Sequence, residues 1–135
     1  MGVHLTKDSF DLGIVVADLE KALAFYRDTL GFKMVREMAI GDGAVIHWLQ
    51  CGTGHLKVVH YPEPPTARPA PGGMRGGTGY RYWTMSVSNL AEVLASCRSA
   101  GYKVVIDQKE IRPGVTVGIV EDPEGNWVEM LEGNA

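Results

Sequence analysis

Cysteine is scarce in this chain: only Cys51 and Cys97 occur among 135 residues, far apart and without ligand-like spacing. That excludes a disulfide framework and a thiolate metal cluster, and two lone thiols fit reduced, structural residues. Neither suits a nucleophile, because Cys97 falls on a predicted helix and Cys51 at a predicted hairpin. Long apolar runs are missing as well. The longest, such as Gly13-Ile14-Val15-Val16-Ala17 and Val104-Val105-Ile106, are far short of the ~20 residues that span a bilayer. The stretch Met1 to Asp8 shows no basic segment followed by an apolar one, so a cytoplasmic location is expected. A surplus of one charge is absent too. The formal net charge of -3 supplies no field that would draw in nucleic acid or an acidic membrane.

What is present is ordinary globular material, 45% hydrophobic and 21% charged, which excludes a disordered or fibrous chain. It is organised as a repeat. Val16-Ala17-Asp18-Leu19-Glu20-Lys21-Ala22-Leu23-Ala24 aligns with Val87-Ser88-Asn89-Leu90-Ala91-Glu92-Val93-Leu94-Ala95, and Arg27 falls on Arg98. After a slip of one residue, Gly31-Phe32-Lys33-Met34-Val35 falls on Gly101-Tyr102-Lys103-Val104-Val105. Each copy begins with an apolar strand, followed by Asp18 or Asn89 as a helix-capping residue. A helix follows, with apolar residues three and four apart (Leu19, Leu23, Tyr26, Leu30), and a glycine stops it. Three strands complete each copy: Lys33–Ala39, Ala44–Gln50 and His55–Tyr61, then Lys103–Ile106, Thr116–Val120 and Trp127–Leu131. Turn chemistry joins the last two of each copy, through Cys51-Gly52-Thr53-Gly54 and Asp122-Pro123-Glu124-Gly125-Asn126. The expected unit is βαβββ, made twice in an α+β chain.

The modules are expected at about residues 9–61 and 80–132 of a single domain. Between them, residues 62–79 hold five prolines and five glycines among 18 residues, a composition that cannot form a packed element. The segment reads either as a mobile linker or as a flap over a pocket.

Leu12-Gly13-Ile14-Val15-Val16-Ala17-Asp18-Leu19, then Ala24-Phe25-Tyr26 and Leu30-Gly31-Phe32, resemble the opening motif of the vicinal oxygen chelate superfamily. That group contains glyoxalases, ring-cleaving dioxygenases and bleomycin-resistance proteins. Asp122-Pro123-Glu124-Gly125-Asn126-Trp127-Val128-Glu129 resembles its second-module signature, and the resemblance covers about residues 9–132. It implies two curved mixed sheets around a small-molecule cavity with helices outside. It also implies four inward strand residues that in many members hold a divalent metal, and frequent pairing into a homodimer.

Carried onto this chain, the four positions are Asp11, Lys57, Tyr82 and Glu129. The repeat agrees, because Asp11 and Tyr82 each lie seven residues before the capping position. Strand alternation sets Tyr82 and Thr84 opposite Trp83 and Met85, Lys57 and His55 opposite Leu56 and Val58, and Glu129 opposite Val128 and Met130. His60 should fall on the helix side, whereas His47 can face either way, since one residue of slip in the hairpin reverses it.

Metal-binding members carry His or Glu at these positions, because imidazole and carboxylate suit divalent cations. Only Glu129 matches cleanly. A lysine ammonium has no lone pair and repels a cation. No cofactor is therefore expected; a divalent metal, if present, would fall to Asp11 and Glu129. The expected activity is proton transfer next to a carbonyl, of isomerase, epimerase or lyase type. Glu129 acts as base, Lys57 and the Tyr82 hydroxyl stabilise the enolate oxygen, and Asp11 orients Lys57 or returns the proton. Lys57 is expected to pair with one or both carboxylates. Trp48, His55, Thr84 and Trp127 are candidate substrate-binding residues. Two readings compete: a metal-free binding protein of the bleomycin-resistance kind, and a metal-dependent lyase or dioxygenase. The expected partners are a small molecule and a second copy of the chain, not nucleic acid or membrane.

Overall fold

A computed structural model describes residues 1–134 as two compact units, residues 1–66 and residue 67 onward, each built on a four-stranded mixed sheet. Unit 1 contains β1 (Leu12–Val15), a helical segment, β2 (Lys33–Gly41), β3 (Ala44–Cys51) and β4 (Gly54–His60). Unit 2 contains β5 (Tyr82–Ser86), a helix, β6 (Val104–Arg112), β7 (Val115–Glu121) and β8 (Trp127–Gly133). The strand orders, β1-β4-β3-β2 and β5-β8-β7-β6, are identical in form. In each, the first strand runs parallel to the last and the other pairs are antiparallel. The repeated βαβββ reading holds.

The helices differ, and the difference accounts for the slip in the repeat. Unit 2 has a regular helix, α2 (Leu90–Ser99). Unit 1 begins with α1 (Leu19–Leu23) and passes into a π-helical turn, Ala24–Thr29. There the Leu30 N–H donates to the Phe25 carbonyl at 2.9 Å, and the Thr29 hydroxyl donates to the Ala24 carbonyl at 2.9 Å. Both bonds span five residues, so the turn holds the extra residue that the alignment detects. Both helical segments end on a left-handed glycine, Gly31 at φ 83° and Gly101 at φ 88°.

The starts differ as well. Asp18 caps α1, accepting from the Lys21 N–H at 3.1 Å. Asn89, expected to do the same for α2, instead donates from its amide to Glu92 Oε2 at 3.3 Å, and Glu132 on β8 accepts the Leu90 N–H at 2.9 Å. Each helix covers one face of its sheet. In unit 1 Val16, Leu23, Phe25 and Tyr26 are buried with Leu49, Leu56 and Val58; in unit 2 Leu90, Leu94 and Cys97 are buried with Val120, Val128 and Met130.

His47 lies on the helix side in unit 1, opposite Val58 in the ladder and 7% exposed. Its Nδ1 is 3.5 Å from Glu37 Oε1, an ion-pair distance without hydrogen-bond geometry. His60 shares the side of Leu56 and Val58, as alternation requires. Strand β6 continues well past Ile106, the end expected from sequence. Its outer part, Asp107-Gln108-Lys109-Glu110, is polar, and the strand carries three register shifts, so no period-two pattern marks it. Among the described residues no helix is long and apolar enough to cross a membrane.

Candidate functional site

The sheet face away from the helix carries the candidate residues in both units. In unit 1 the ladders put Gly13 beside Lys57, Lys57 beside Trp48, and Trp48 beside Arg36, one residue from each strand in a single row. Lys57 Nζ lies over the Trp48 ring, 4.3 Å from its centroid, and Arg36 Cζ lies over the same ring at 5.3 Å. Cations at such distances are attracted to the negative π face. Arg36 was not among the residues singled out from sequence. Strict alternation from Met34 would put both on one face, but the register shifts at Val35, so Met34 pairs with Leu49 and Arg36 with Trp48. A bulge of this kind leaves no reliable sequence signal.

Asp11 sits just before β1, and the N-terminal segment is what places it. The Thr53 hydroxyl donates to Asp8 Oδ1 at 3.0 Å. Gly54 lets the chain pass close by, since a Cβ there would lie 2.6 Å from the Phe10 carbonyl oxygen. Asp11 Oδ1 then accepts from the Lys7 ammonium at 2.7 Å and from the His55 backbone N–H at 2.9 Å, and lies 3.2 Å from His55 Nδ1. The hydrogen bond from Lys7 outweighs the cost of burial, and His55 adds to it; together they hold the Asp11 carboxyl at about 2. The carboxylate is therefore met by Lys7 and His55, where Lys57 was the expected partner. His55 in turn meets the Trp48 indole edge-on at 5.2 Å between centroids.

In unit 2, β5 and β8 align Tyr82 with Trp127 and Thr84 with Glu129. The Thr84 hydroxyl donates to Glu129 Oε1 at 2.7 Å, fixing one carboxylate oxygen. Tyr82 is 45% exposed, so the side chain is open to solvent in part. Trp127 lies under the Pro/Gly-rich segment. A Cβ on Gly73 would come within 2.2 Å of two indole ring carbons, so only glycine permits this approach. Arg81 fastens that segment, donating from Nε to the Gly73 carbonyl at 2.9 Å and from Nη2 to the Ala70 carbonyl at 2.7 Å. The ion pair Arg68–Glu124 at 3.1 Å fastens it further upstream. Of the two readings of residues 62–79, the portion from Arg68 to Gly76 is thus a strap tied to unit 2.

The two thiols behave as expected of structural cysteines. Cys97 is fully buried, and burial raises both thiol pKa values, which opposes thiolate formation.

A family model described as Glyoxalase/Bleomycin resistance protein/Dioxygenase superfamily matches residues 4–130. Among curated proteins, the chain is 28% identical to a lactoylglutathione lyase of Pseudomonas putida, over 87% of this chain and 80% of that protein. It is likewise 28% identical to a lactoylglutathione lyase of Salmonella typhimurium, over 87% and 86% respectively. Among solved structures, a glyoxalase family protein from Bacillus cereus superposes with a TM-score of 0.81 at 15% identity, covering 100% of this chain and 99% of that one. The trypanothione-dependent glyoxalase I of Leishmania major superposes with a TM-score of 0.69 at 21% identity, over 90% and 84%. At these identities the structural likeness speaks to the fold.

Proposed function

Because the chain belongs to the glyoxalase/bleomycin resistance protein/dioxygenase superfamily, we propose that it is a lyase-type enzyme that moves a proton next to a substrate carbonyl without a metal. Glu129 removes the proton, with the Thr84 hydroxyl holding one of its oxygens and leaving the other for the substrate. The Tyr82 hydroxyl, on the strand paired with that of Glu129, stabilises the enolate oxygen that develops, and Glu129 returns the proton to the neighbouring atom. Asp11 acts through His55, keeping that ring at the edge of Trp48. A carboxyl held at about 2 stays ionised near neutral pH, so the proton-returning role falls to Glu129. The substrate is a small molecule, and we propose a cytoplasmic homodimer.

The observation that carries this reading is Lys57, lying over an indole at a position where metal-binding members place a ligand. The donor set of unit 1 does not suit a divalent cation: one position is an ammonium, and the other is a carboxylate already held by a lysine. The lyase names of the curated relatives support the type of reaction.

The test uses lactoylglutathione in deuterated water, reading deuterium uptake at the carbon beside the thioester carbonyl by NMR. Chelator-treated protein should catalyse the exchange, and Glu129→Gln should slow it by about 10²–10⁴-fold. Saturable binding without exchange by the unaltered protein would instead make it a binding protein of the bleomycin-resistance kind. Exchange unchanged in Glu129→Gln would remove Glu129 from its role.

A further inference from the structure

The row Gly13, Lys57, Trp48, Arg36 in unit 1 has features that proton transfer does not require. Two cations share one indole, Arg36 from β2 and Lys57 from β4 on either side of the strand that carries Trp48. Lys33, aligned with Gln50, adds a third positive charge at the margin of this face. Asp11, the carboxylate beside the row, is itself engaged by Lys7 and His55. The balance of the face is positive.

A glycine also stands where a strand favours a side chain. Gly13 does not have a left-handed φ, and a Cβ built on it meets nothing within 4 Å. Neither conformation nor crowding demands glycine here, and glycine within a strand costs roughly 0.5–1 kcal/mol relative to alanine. Its effect is an opening on the sheet face next to Lys57.

We propose that Arg36, Trp48 and Lys57, with the opening at Gly13, form a subsite for a planar carboxylate, so that the substrate is a carbonyl compound bearing a carboxylate. The inference rests on the reading above only in assigning that carboxylate to the substrate. Planarity follows from the guanidinium fork, which matches the two oxygens of a carboxylate, while the indole holds the two cations that meet its charge. The ammonium adds a point charge at the open end.

Benzoate and benzamide, nearly equal in shape and different in charge, are the probes, followed by tryptophan fluorescence and calorimetry on the full chain. Benzoate should bind about tenfold more tightly than benzamide, and added salt should reduce the difference. Lys57→Met and Arg36→Met should each remove most of that preference and leave benzamide unchanged. Gly13→Val should weaken both probes by filling the opening while keeping the thermal midpoint, since valine favours strands and meets no clash. Equal binding of the two probes, or a benzoate preference that survives Lys57→Met and Arg36→Met, would overturn the proposal. Glu129→Gln separates the two readings. It should leave benzoate binding intact, so benzoate binding with normal exchange in that variant would sink the reaction and keep the subsite. Loss of exchange in that variant, with no benzoate preference in the unaltered protein, would do the reverse.

Discussion

Unit 1 and unit 2 build one topology from two vocabularies. Where unit 1 has Gly13 beside Lys57, unit 2 has Thr84 beside Glu129, and the threonine hydroxyl is bound to the carboxylate. Trp48, next along the row in unit 1, is matched in unit 2 by Ile119, which is 1% exposed. Duplication has thus produced a cationic, aromatic row in one unit and an acidic, aliphatic row at the same place in the other. On the helix side the contrast reverses in size. Unit 1 buries His47 where unit 2 has Gly118, and a Cβ on Gly118 would lie 2.8 Å from Leu94 Cδ1 and 3.2 Å from Leu90 Cδ1. The regular α2 packs directly on its sheet, whereas α1 with its π turn accommodates a bulky ring beneath it. The same fold tolerates either, provided that helix and sheet change together.

Gly118→Ala should break this pairing with the largest effect on stability. The added methyl overpacks the α2 interface, and a cost of about 1–3 kcal/mol is expected in urea unfolding. No loss would mean that α2 stands off its sheet enough to absorb the group.

The helix starts sharpen the comparison. Asp18→Ala should cost about 1 kcal/mol through the lost cap on α1. Asn89→Ala, at the equivalent position, should cost no more than a few tenths, because Glu132 meets the Leu90 N–H. Glu132→Ala should therefore reproduce the Asp18→Ala effect in unit 2. Equal costs for Asp18→Ala and Asn89→Ala would contradict the difference in capping.

A smaller effect is expected from Asp11. Its carboxyl falls from 3.8 to about 2 on folding, so its contribution is fully present above about pH 4 and fades as pH falls toward 2. For a partly exposed pair this amounts to roughly 0.2–1 kcal/mol. Asp11→Asn should lower stability near neutral pH and leave it little changed at the acid end. A constant deficit across the whole range would show that the lost contribution is not the ion pair.

Much of the fold could be read from sequence because duplication prints every signal twice. The capping positions, the helix-stopping glycines Gly31 and Gly101, and the alternation around Lys57, Tyr82 and Glu129 all have a counterpart half a chain away. The one-residue slip was visible as an offset, but spacing alone does not distinguish a π turn from a longer loop. The legible site residues lie on regularly paired strands, such as Trp48, Lys57 and Thr84. Arg36 was hidden by the bulge at Val35. The partners of Asp11 were hidden because Lys7 and the His55 N–H are brought to it by docking of the terminal segment on a hairpin, which no local pattern encodes. The face of His47 depended on the hairpin register, which only the pairing of Cys51 with Gly54 resolves.

The most direct trial of the metal-free scheme is the rate of α-carbon deuterium exchange in chelator-treated protein as zinc, nickel or iron(II) is added back in turn. A rate that is already full before any addition, and flat through each titration, is the result predicted for an ammonium at position 57. Exchange that begins only when one of these ions is restored would contradict the account and return the chain to metal-dependent chemistry.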